Sequence, residues 1–176
     1  MAGANNIFRK TDRGIAILAA IVLGLDQLTK WLVVHSLELG DETTIIPGFF
    51  KLVHWGNTGA AWSQLSGNNA TLALVAVFAL VALYLTRHHF NSQTLGGQIA
   101  FGLIFGGIAG NLTDRLLPSR HAVVDFLYFY LQQRNGRIID FPAFNVADTA
   151  ICTGVGLIFI ITWRTEHTGK PATSDQ

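Results

Sequence analysis

Residues 70–86 read ATLALVAVFALVALYLT, a run of 17 without a single charge. A helix needs about 20 apolar residues to cross the ~30 Å hydrocarbon core of a bilayer, with a working range near 17–25. Lipid offers no hydrogen bonds, so a segment of this kind has to satisfy its own backbone as a helix. Three further runs meet the same test. Gly14–Val34 spans 21 residues broken only by Asp26, Gln27 and Lys30. Leu95–Leu112 spans 18 residues with no charge, and Val146–Trp163 spans 18 with one, Asp148. The fold class predicted is an all-α integral membrane protein of four transmembrane helices.

Composition agrees. Of 176 residues, half are apolar and 13% are charged, against roughly 25% charge in an ordinary soluble domain. Mean hydropathy is +0.39. A soluble globule of this size needs a polar coat that this chain does not have. The net charge of +1 gives no basic field for nucleic acid. The single cysteine, Cys152, excludes an internal disulfide and reads as a packing residue inside the fourth span.

Orientation follows from Lys and Arg. Arg9, Lys10 and Arg13 precede the first span, and only Lys51 lies in the loop after it. The first helix usually dominates, so N-in/C-in is the expected topology. Over the whole chain the tally is close, because Arg115, Arg120, Arg134 and Arg137 all lie in the third loop. Residues 14–25 resemble a signal-peptide core, but no small-x-small site follows, and the segment reads as an uncleaved helix. The domain map expected is a cytoplasmic tail over 1–12, a four-helix domain over 13–163 and a cytoplasmic tail over 164–176. Outer loops occupy about 35–69 and 113–143. Trp31, Trp55, Trp62 and Trp163 fall where an interfacial belt places them. In the first outer loop, residues 45–55 read as a turn and a short strand, and Asn57-Thr58-Gly59 as another turn. Phe126–Leu131 is too short to span and reads as an interfacial or re-entrant piece.

The polar residues gather on one side. With this topology Asp26 and Lys30 lie in the outer half of helix 1, and Asn57 lies in the first outer loop. Asn111, Asp114 and Arg115 end helix 3, Asp125 lies in the second outer loop, and Asn145 and Asp148 open helix 4. Asp26 and Lys30 are i and i+4 in the favourable order. They read either as a structural ion pair or as part of the chemistry. Gly102, Gly106 and Gly110 recur every fourth residue beside Gly107, a face for close helix contact. Asp114 and Arg115 read as holding the outer loops by hydrogen bonds and ion pairs.

Asp148 has Phe144 and Cys152 at i±4, so its own helix offers it no partner. An intramembrane acid is a functional-site hypothesis by default. Asp125, set among Val123, Val124 and Phe126, is its natural companion. Two desolvated carboxyls at one depth share a proton and provide one acid and one base, the arrangement that activates water against a peptide carbonyl. Whether the two meet is left to the tertiary structure. The motifs of other hydrolases are absent: there is no HExxH, no GxSxG around Ser63 or Ser66, and no nucleotide fingerprint.

Five blocks in order make a family resemblance specific: DQLTKW at 26–31, NTGAAW at 57–62, GGIAGNLTDR at 106–115, VVDF at 123–126 and FNVAD at 144–148. Together they span about residues 14–163, and the chain resembles the lipoprotein signal peptidases (signal peptidase II). That resemblance implies an aspartyl endopeptidase of the bacterial cytoplasmic (inner) membrane, with its site near the extracytoplasmic face. It implies removal of the signal peptide from diacylglyceryl-modified prolipoproteins at the lipidated lipobox cysteine. Asp125 and Asp148 match the catalytic pair. Asn57, Gly59, Asn111, Arg115 and Asn145 match positions that line or brace the site, and Asp26 and Lys30 match a structural polar pair. The resemblance also implies a small β-cradle from the first outer loop, a short interfacial helix over the site after Asp125, no metal or organic cofactor, and inhibition by globomycin-type compounds. Partners are the prolipoprotein substrates and the phospholipid bilayer, with no nucleic acid, and the chain is expected to act as a monomer. One departure stands out: the polar stretch Gln132–Arg137 lengthens the segment between the two aspartates.

Two other classes compete. An ion-coupled transporter would use the acids as a relay and would need polar residues reaching both membrane faces, which helix 2 does not supply. A non-catalytic adaptor built on the helix 3 glycines would not require Asp148.

Overall fold

A computed structural model describes residues 2–59, 68–120 and 122–168. Trp62, Ser63 and Ser66, the second half of the NTGAAW block and Lys170 lie outside the described residues. The four helices are α1 (Ala2–Ser36), α2 (Asn69–Thr86), α3 (Leu95–Leu116) and α4 (Val146–Thr168). Each contains a stretch long and apolar enough to cross a membrane. The segment expected as an N-terminal tail is helical from Ala2 and continuous with the first span. No proline interrupts residues 2–13, and a helix already nucleated by the span propagates at little cost.

Local chemistry starts α2 and α3. Asn68 Oδ1 accepts the Thr71 N–H at the head of α2, and Thr94 Oγ1 accepts the Gly97 N–H at the head of α3. The glycines of α3 then decide the packing. A Cβ on Gly106 would lie 2.7 Å from the Ala19 carbonyl oxygen of α1, and one on Gly107 would lie 2.5 Å from the Ala147 carbonyl oxygen of α4. α3 is therefore clasped backbone to backbone between α1 and α4, as the small-residue spacing predicts. α2 is the least buried helix and exposes Leu74, Phe78 and Leu85. Cys152, expected to pack, is exposed on α4.

A four-stranded antiparallel sheet caps one end of the bundle in the order β1 (Glu42–Ile46), β2 (Phe50–Asn57), β3 (Val123–Gln132), β4 (Ile138–Asp140). β1 and β2 come from the first loop, joined by a turn in which Gly48 takes φ +79°. β3 and β4 come from the third loop, so the sheet is larger than the first loop alone predicts. The interfacial helix expected after Asp125 is not a helix: Phe126–Leu131 lies within β3. Aromatic and branched residues favour a pleated surface. Here β3 pairs with β2, and Phe129 stacks on Phe50 at 4.7 Å. The stretch Gln132–Arg137 ends β3 with Gln132 and then forms the β3–β4 turn, with Gly136 at φ +81°. Val124 and Phe126 pack with Val33, which seats β3 on the end of α1.

Candidate active site

Asp125 and Asp148 come together through one residue. Asn145 precedes α4 and is fully buried. Its Oδ1 accepts the Asp148 N–H at 3.0 Å, while Asp148 Oδ2 accepts the Asn145 N–H at 3.2 Å. This reciprocal pair is a capping box, which explains why an acid stands one turn inside the helix. The same Asn145 turns its Nδ2 to Asp125 Oδ1, donating at 2.7 Å. One amide side chain therefore caps α4 and bridges to β3.

Asp125 points away from its neighbours because strand residues alternate faces. Val124 and Phe126 enter the apolar cluster, and Asp125, 3% exposed, turns to the polar side. Its Oδ2 accepts from Asn57 Nδ2 at 2.9 Å. Burial raises its pKa to about 7, and the nearby Asp148 charge adds to that rise. The donors Asn57 and Asn145, and the charge of Lys30, oppose it.

The remaining predicted residues converge on this pair. Asn111 Nδ2 donates to Asp148 Oδ1 at 2.7 Å. Arg115 Nη2 donates to the Gly59 carbonyl at 2.9 Å and Nη1 to the Asn111 carbonyl at 3.3 Å. Gly59 in turn donates its N–H to Asn57 Oδ1. Asn57, Gly59, Asn111, Arg115 and Asn145 thus form one connected shell around the two aspartates. Asp26 and Lys30 pair at 2.8 Å with neither side chain exposed. They are joined to the shell as well, since Lys30 Nζ donates to Asn111 Oδ1 at 2.9 Å.

Three residues outside the predicted site belong to this network. Asp114, read from the sequence as a loop anchor, is fully buried and pairs with Lys30 at 2.7 Å and with Arg120. Its link to Arg120 does tie the third loop to α3. Gln27 Nε2 reaches Asp26 Oδ2, Asp114 Oδ1 and the Gly110 carbonyl, and its Oε1 accepts from Arg120. A signal existed for Gln27, since it stands between apolar residues in a span beside Asp26. For Arg120 no sequence signal distinguishes it from a solvated loop cation.

Known proteins resemble this chain along most of its length. The family profile described as Signal peptidase (SPase) II matches residues 18–164. A lipoprotein signal peptidase of Bacillus pumilus (strain SAFR-032) is 39% identical over 146 residues, covering 82% of this chain and 88% of the relative. One of Symbiobacterium thermophilum is 42% identical over 145 residues, covering 82% and 90%. A solved bacterial membrane enzyme, determined by the in meso method at 2.3 Å resolution, superposes with a TM-score of 0.77 at 32% identity. It covers 92% of this chain and 94% of that one. The chain belongs to the signal peptidase II family, a family of membrane proteases.

Proposed function

We propose that this chain is a membrane-embedded aspartyl endopeptidase that cleaves the signal peptide from diacylglyceryl-modified prolipoproteins, just before the lipidated cysteine. The observation that carries the reading is the bridge from Asp125 through Asn145 to Asp148. It puts two carboxyls in one shell of fixed amide donors, with Asp125 titrating near neutral pH. The lipoprotein signal peptidases among the relatives point to the substrate class.

The pair holds one proton between its two carboxyls. One aspartate takes a proton from water as the water oxygen bonds to the scissile carbonyl carbon. The other gives its proton to the carbonyl oxygen. As the tetrahedral intermediate collapses, the first returns its proton to the leaving nitrogen and the second recovers one from the hydroxyl. The C–N bond breaks and both aspartates regain their starting states. Amide donors that stay in place through these steps cost no reorganisation. In this reading the chain is N-in/C-in and the layer lies at the extracytoplasmic face of the bacterial inner membrane, where water reaches the bond and a lipidated substrate arrives sideways from the bilayer. Acyl chains add binding energy of about 0.8 kcal/mol per buried CH₂. In this reading the chain acts as a monomer without a cofactor and is blocked by globomycin-type inhibitors.

The test uses purified protein in detergent with a diacylglyceryl-modified lipobox peptide and its unlipidated twin. Cleavage before the modified cysteine, dependent on lipid and absent in folded Asp125→Asn and Asp148→Asn, is the expected result. Normal cleavage by either variant would sink the assignment.

A further inference from the structure

Lys30 stands where the two halves of the site join. Its ammonium is fully buried and offers three N–H donors. The acceptors are Asp26 Oδ2 at 2.8 Å, Asp114 Oδ2 at 2.7 Å and Asn111 Oδ1 at 2.9 Å. Each acceptor holds a piece of the reacting pair. Asp26 Oδ1 accepts the N–H of Ala147, the residue before Asp148, at 3.0 Å. Asp114 Oδ2 accepts the N–H of Val124, the residue before Asp125, at 3.3 Å. Asn111, its carbonyl end committed to Lys30, has its Nδ2 free to hold Asp148 Oδ1.

We infer that Lys30 is a positioning residue for the hydrolysis: through Asp26, Asp114 and Asn111 it sets the placement of Asp148 relative to Asp125. The inference rests on the reading of those two aspartates as the reacting pair. A role in packing alone asks only that the buried charge be neutralised, and Asp26 does this from the same helix. It does not account for a second carboxylate and an amide, nor for two carboxylates that each grip the backbone just before a reacting acid. A misplacement near 1 Å at reacting groups costs about 10²-fold in rate. Lys30 also acts by charge. Among the described residues, the charged groups around Asp125 are Lys30 from α1, Asp114 and Arg115 from α3 and Asp148 from α4. Lys30 opposes retention of the Asp125 proton.

The experiment compares wild type, Lys30→Arg, Lys30→Met and Asp125→Asn on the diacylglyceryl lipobox peptide. It records kcat, KM, Tm and the pH profile of kcat/KM. Lys30→Arg keeps the charge but replaces a tripod of donors with a planar fork. Its kcat is expected to fall about 10²-fold with KM changed less than about two-fold. Lys30→Met is expected to move the alkaline limb of the profile to higher pH, because Asp125 then keeps its proton longer. Wild-type kcat per folded molecule and an unmoved limb, with only Tm lowered, would overturn the inference. If Lys30→Met does not fold, Lys30→Arg decides alone: wild-type kcat at retained Tm overturns the inference and the kcat loss supports it. The reading of the pair fails separately, by cleavage in Asp125→Asn or by none in wild type.

Discussion

The two ends of α1 carry ion pairs built for different surroundings. Near its start Asp12 meets Arg87, whose guanidinium also lies 3.8 Å from the centre of the Tyr84 ring. The Asp12 side chain is 39% exposed. About 27 Å further along, at a rise of 1.5 Å per residue, Lys30 meets Asp26 and Asp114 with none of the three exposed. Water reaches the first pair through Asp12, Arg87 being 9% exposed, and is excluded from the second. A pair open to solvent contributes roughly 0–1 kcal/mol. A buried one returns little net stability against its desolvation but is severe to break, because the surviving charge is stranded. The first end therefore staples α1 to the end of α2, whereas the second holds groups at fixed separations. Precision in this protein is concentrated where the polar groups are dry.

The largest expected effect tests the chemistry at the dry end. Asp125→Asn and Asp148→Asn should each lower kcat by at least about 10²–10⁴-fold with the fold retained, measured by peptide cleavage and circular dichroism. Next comes the packing beneath it. A Cβ on Gly110 would lie 2.5 Å from Asp26 Oδ2, and that carboxylate is tied to Lys30 and Gln27. Gly110→Ala should cost about 1–3 kcal/mol in denaturant unfolding. Gly24→Ala, where nothing lies within 4 Å, should be neutral or stabilising by up to about 1 kcal/mol; equal losses at both sites would refute the packing account.

A further effect appears in the pH dependence of stability. With a native pKa raised to about 7, Asp125 keeps its proton after the unfolded chain has lost its own. Stability should decline as pH rises from about 4 to 7 and level off above that. Asp125→Asn should remove this component, so its Tm should gain on wild type between pH 5 and 8; parallel Tm curves would contradict it. The smallest effect belongs to the wet end. Asp12→Asn should cost under about 1 kcal/mol and leave kcat within about two-fold. A large kcat loss there would erase the contrast between the two layers.

Much of this was legible from residues alone. The four apolar runs sit inside the four helices, and the glycine spacing on α3 marks the face that meets α1. Each predicted site residue joins a single shell because burying a polar group without partners is too costly, so such residues in an apolar chain find one another. The capping box of Asn145 and Asp148, which explains the depth of Asp148, emerged only with the structure. Phe126–Leu131 was not legible. Six apolar and aromatic residues fit an interfacial helix or a strand equally, and only an available partner decides. That partner is β2, about seventy residues earlier in the chain.

The sequence by itself determined the class of protein, since lengths of apolar chain and the depth of a bilayer are matched one residue at a time. It also determined which residues had to be satisfied, since charge in lipid demands a partner. The tertiary structure alone decided who the partners are. Lys30 is four residues from Asp26, yet it also meets Asp114 and Asn111 on α3. Asp125 reaches Asp148 most directly through an asparagine that belongs first to a helix cap. Such meetings depend on the close approach of α1, α3 and α4 and on the seating of β3. Those are distances between elements, which local sequence pattern does not encode.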